Sequence, residues 1–93
     1  MTTKAERRAA RESVNAYHEA QLAGLVGHVA AAVDRFRAGD LDAFDVDQVL
    51  FQYSRAAKEL WKFCNLGNPD LVARLINDDQ QSDWWESGAP RRR

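Results

Sequence analysis

Two histidines, one cysteine and a run of aspartates are the side chains of this 93-residue chain best suited to chemistry. If the chain folds back near residue 42, His18 and Cys64 fall at similar heights on facing helices. That would bring a soft nitrogen toward a soft sulfur. A zinc site needs three or four ligands, and only His28 remains, on a different part of its helix. A Cys-His nucleophile needs a group to orient the imidazole and donors for an oxyanion. Neither stands out around these residues. A core cysteine and a partly buried histidine are therefore expected, with no metal and no cofactor.

Other motifs carry no more chemistry. Asp40, Asp42, Asp45 and Asp47 suggest a calcium loop, but the glycine and terminal glutamate of an EF-hand are missing. Arg11 and His18 share the Arg-x6-His spacing of helical ribonucleases of the HEPN type. Ten arginines in 93 residues produce that spacing by chance, and no activity is carried over from it. There is no Gly-rich phosphate loop and no helix-turn-helix with a clear recognition helix. The chain is expected not to be an enzyme.

Charged and aromatic side chains point instead to surfaces. Arg55, Lys58 and Lys62 share one helix face with Phe51, a phenylalanine that something must cover or that stays exposed. Lys4, Arg7, Arg8 and Arg11 make a second basic strip, and Arg91, Arg92 and Arg93 a basic tail. Trp84 and Trp85 lie in an acidic stretch, residues 78–86. That stretch is expected to fold back over Phe51, its acids meeting Arg55, Lys58 and Lys62. The net charge of −1 supplies no global field to steer nucleic acid or a membrane.

The elements that position these groups read as helices. Residues 4–38 begin with strong helix formers and continue through 21–33, which hold no formally charged residue. Leu22, Leu25, Val26, Val29, Val33 and Phe36 form a stripe of large residues. Ala20, Gly24, Gly27 and Ala31 form a stripe of small ones on the other side. Two mid-helix glycines cost roughly 1 kcal/mol each relative to alanine. That cost makes sense if another backbone approaches Gly24, Gly27 and Ala31 closely, so these residues are candidates for self-association. The apolar run is too short to span a membrane, which takes about 20 residues.

Gly39 stops the first helix, and a tight acidic connection follows. The second helix is predicted over residues 46–65. Asp45 is its expected cap, Gln48 closes a capping box, and Phe44 and Val49 form a hydrophobic staple. Asn65 and Gly67 supply its left-handed end. Asn68, Pro69 and Asp70 start a third helix over 69–77. Residues 77–93 are expected to be only partly ordered, with a last turn capped by Asp83 and Glu86. The core is expected from Tyr17, Leu22, Leu25, Val29, Val33, Phe36, Val49, Leu50, Tyr53, Leu60, Trp61, Cys64, Leu71 and Leu75.

The fold class expected is all-α: one domain, an antiparallel helical hairpin plus a short third helix, completed as a dimeric helical bundle. One cysteine permits no intramolecular disulfide, and no secretory signal is visible, so a cytoplasmic setting is expected. Ten arginines against three lysines point to a GC-rich bacterial gene. The function expected is a non-catalytic interaction or assembly module, as a homodimer or with a protein partner and not at a membrane. Its candidate residues are Gly24, Gly27, Ala31, Phe51, Arg55, Lys58, Lys62, Trp84 and Trp85. The alternative is a small antitoxin-like regulator that binds nucleic acid through its arginines and the second helix's basic face.

Overall fold

The computed structural model describes residues 3–78 and 83–90. Within them the chain is all-α, with four helices and no strand. Helix α1 spans Lys4–Arg37. The Thr3 hydroxyl accepts the Glu6 backbone N–H at 3.1 Å, satisfying a donor with no partner in the first turn. At the other end Gly39 takes φ +86°, the one positive φ among the described residues. Its N–H reaches the Phe36 carbonyl at 3.1 Å, and the Asp40 N–H reaches that of Arg35 at 2.9 Å. This paired closure needs a left-handed residue, which glycine supplies at little cost.

Helix α2 spans Ala43–Asn65 and starts three residues earlier than the sequence suggests. Asp42, not Asp45, is the N-cap. Its carboxylate accepts the Asp45 N–H at 2.8 Å, and the Asp45 carboxylate accepts the Asp42 N–H at 3.0 Å. The capping box is thus built from two aspartates, and Gln48 has no part in it. An aspartate at the third helical position can reach back as a glutamate does, so pattern alone could not choose between adjacent acids. The expected Phe44 staple is also absent, since Phe44 is 82% exposed. At the C-terminus Gly67 is not left-handed. It is small for another reason: an added Cβ would lie 3.1 Å from Val72 Cγ2.

Helix α3 spans Pro69–Asp78, its start shaped by the Asn68 side chain accepting the Asp70 N–H at 2.9 Å. Helix α4 is a single turn, Trp84–Ser87, capped by Asp83 as expected. The 83–90 segment is therefore not a loose tail. Residues 79–82 and the arginines at 91–93 lie outside the described residues.

Helices α1 and α2 pack along each other. Tyr17, early in α1, stands 6.0 Å by ring centroid from Phe63, late in α2. Phe36, at the end of α1, lines one depression with Ala43 and Val46, at the start of α2. The buried apolar set is Val14, Leu25, Ala32, Ala56, Leu60, Cys64 and Val72. Tyr17, Leu22, Tyr53, Phe63, Ile76 and the two C-terminal tryptophans pack around most of it. Five residues expected in the core are instead exposed: Phe36, Leu50, Trp61, Leu71 and Leu75. The α2 stripe is centred on Ala56, Leu60 and Cys64, rotated away from Leu50 and Trp61. Small residues take the closest helix contacts because they let backbones approach, which apolar patterning alone does not reveal. No helix of the described residues is long and apolar enough to cross a membrane.

Candidate interaction surface

Cys64 is buried against the core cluster, and burial pushes its thiol pKa up, because the thiolate loses water that nothing replaces. A nucleophilic cysteine needs the opposite shift. His28 is committed elsewhere, stacked on Trp85 at 4.2 Å with only 4° between the rings. Among the described residues no group of three or more His, Cys, Asp or Glu side chains could hold a metal ion. In the acidic loop, Asp42 and Asp45 spend their carboxylates on backbone N–H groups.

The tryptophan pair does fold back, but not over Phe51. It docks in a groove on one side of the α1–α2 layer. The Trp84 indole N–H donates to the Tyr17 hydroxyl at 2.8 Å, and its ring leans on Phe63 at 5.3 Å. Gln52 Nε2 donates to the Trp85 carbonyl at 2.9 Å. Arg55 Nε donates to the Gly88 carbonyl at 2.7 Å. Gly88 is buried directly on α2. Among the described residues, no acid of the segment pairs with Arg55, Lys58 or Lys62. Arg55 takes a backbone carbonyl, and Lys62 pairs with Glu59 of its own helix at 3.3 Å. Backbone carbonyls offer a fixed acceptor, whereas acids at the rim are better solvated by water. Phe51 remains 52% exposed.

Gly24, Gly27 and Ala31 lie on the outward side of α1 and are exposed. A Cβ added at Gly24 or Gly27 would meet nothing within 4 Å, so no described residue uses the space. The basic strip of Lys4, Arg7, Arg8 and Arg11 lines one shallow depression at the start of α1. Sequence reasoning missed four groups that matter for the docked segment: Tyr17 as a hydroxyl acceptor, His28, Gln52 and Gly88. Of these only Gly88 carried a signal, a glycine after a tryptophan-bearing turn.

Comparison of the chain with models of known protein families, with curated proteins and with solved structures finds no match.

Proposed function

We propose that this chain is a non-catalytic helical interaction module that assembles with itself in the cytoplasm. In this reading α1 and α2 form an antiparallel hairpin, and a second copy completes a dimeric bundle. One observation carries it. Among the described residues seven form the buried apolar set, while nine large apolar side chains stay 43–82% exposed. A small domain with so few buried residues gains more from an interface than from solvent on those side chains. Gly24, Gly27 and Ala31 leave room for a second backbone on a further side of α1. Sedimentation across a wide concentration range tests the reading. A dimer supports it, and a monomer at every concentration overturns it.

A second reading, a small nucleic-acid-binding regulator, is favoured by the clustering of Lys4, Arg7, Arg8 and Arg11 on α1. No ion pair to these four forms among the described residues. It predicts binding to mixed DNA or RNA that weakens steeply with salt. No shift at low salt removes it.

A further inference from the structure

The α1–α2 layer has two sides, and of the described residues the C-terminal segment covers one. At about 100° per residue, Tyr17 and His28 of α1 and Gln52 and Phe63 of α2 share the side that receives Trp84 and Trp85. Val26 and Phe36 of α1, with Leu50 and Trp61 of α2, turn toward the other side. They are 50%, 46%, 46% and 52% exposed. An apolar depression of ≈ 170 Å³ opens there between Phe36, Ala43, Val46 and Leu50.

We infer that this uncovered side is the seam of a two-fold dimer of the chain, with each helix lying against its own copy in the opposite direction. The inference rests on the assembly reading above and commits it to one face. Heights along the layer are fixed by Tyr17 beside Phe63 and by His28 at the level of Gln52. A two-fold axis crossing the layer at that second level matches three features at once. Glu19 and Arg37 lie nine residues either side of His28, on the same edge of α1. The axis therefore sets Glu19 of one copy against Arg37 of the other. On α2, Asp47 lies five residues before Gln52 and Lys58 six after it, so they also come near each other across the edge. Trp61 then arrives at the level of Ala43 of the second copy, where the apolar depression opens. An axis parallel to the helices does worse, because it brings Asp47 to the height of Asp34 of the other copy. The seam is about 20 Å wide and, from Glu19 to Arg37, about 27 Å long. With side-chain relief it buries roughly 600–800 Å² per copy, close to a standard interface.

Charge reversal on the full chain, read by analytical ultracentrifugation, tests this. Glu19→Arg and Arg37→Glu should each weaken the dimer about ten-fold, since each change acts twice by symmetry. The double variant should return to near the wild-type value. Val26→Arg should abolish the dimer while the far-UV spectrum stays helical. Gly27→Leu, on a different side of α1, should leave it intact. A dimer that survives Val26→Arg and is lost in Gly27→Leu overturns this seam and leaves the assembly reading standing. Single reversals without rescue in the double variant overturn the opposed arrangement. A monomer at every concentration overturns both.

Discussion

Gly88→Ala should undo the docking of the C-terminal segment. An added Cβ would stand 2.5 Å from the Gln52 carbonyl oxygen, 2.6 Å from the Ala56 nitrogen and 2.8 Å from the Ala56 Cβ. All three atoms belong to the fixed part of α2, so no side chain can rotate out of the way. Gly88 sits at φ −92°, a conformation alanine adopts freely, so the penalty is contact and not backbone strain. The segment must withdraw by about an ångström to restore ordinary contact. That stretches the Arg55 bond to Gly88, now 2.7 Å, and the Gln52 bond to Trp85, now 2.9 Å. Losing both costs about 2–4 kcal/mol, the charged donor counting for more. Tolerating the overlap instead costs about 1–3 kcal/mol. That range holds where flexible side chains give way, and these three atoms cannot, so the segment withdraws and the expected loss is about 2–4 kcal/mol.

Urea unfolding followed by far-UV circular dichroism reads that loss as a lower midpoint. Tryptophan emission without denaturant reads the withdrawal itself. Trp84 and Trp85 are half-buried in the groove and should shift to longer wavelength, while Trp61, already half exposed, contributes an unchanged background. An unchanged midpoint together with unchanged emission would refute the close packing of Gly88 on α2.

Three further expectations follow from single features. Gly24→Ala places a methyl in open space within α1 and should stabilise the chain by about 0.5–1 kcal/mol in thermal unfolding. Asp42→Ala removes the α2 cap and should cost about 1 kcal/mol in the same assay, whereas Gln48→Ala should stay within about 0.5 kcal/mol of wild type. Cys64 has its folded pKa raised by burial, so the native state holds a proton that the unfolded chain releases first. Stability is therefore fully present below the unfolded thiol pKa and should fall as pH rises above it. Cys64→Ala should flatten that alkaline decline, and a decline unchanged by the substitution would assign it to other groups.

Much of the fold was legible because local signals agreed. Gly39 as a stop, Asn68-Pro69-Asp70 as a start and Asp83 as a cap all act within a few residues, where backbone geometry decides the outcome. The α2 start was misplaced by three residues because Asp42, Asp45 and Asp47 are chemically alike and only the fold selects among them. The core was partly misread for a different reason. Apolar patterning marks which residues prefer burial and not which ones find a neighbour. Leu50 and Trp61 have the pattern but no covering element among the described residues, while Ala56, a weak signal by size, is fully buried under the segment around Gly88. The Trp84–Trp85 dock depends on contacts 33 to 67 residues apart in sequence, to Gln52, Arg55 and Tyr17. No local rule reports such distances.

The asymmetry of the α1–α2 layer is what makes assembly the stronger reading. The side that receives the C-terminal segment is the more polar one, edged by Tyr17, His28, Gln52 and Arg55, and each of these has a specific bond or stack to that segment. The side left open carries Val26, Phe36, Leu50 and Trp61, for which covering a half-exposed side chain is worth about 1 kcal/mol each. Hydrophobic burial alone would have sent the segment to the apolar side. The hydrogen bonds of Trp84, Trp85 and Gly88 fix it on the polar side, where an apolar helix could not satisfy the same donors. The apolar side is then free for a surface of its own kind, and a two-fold partner supplies one by construction.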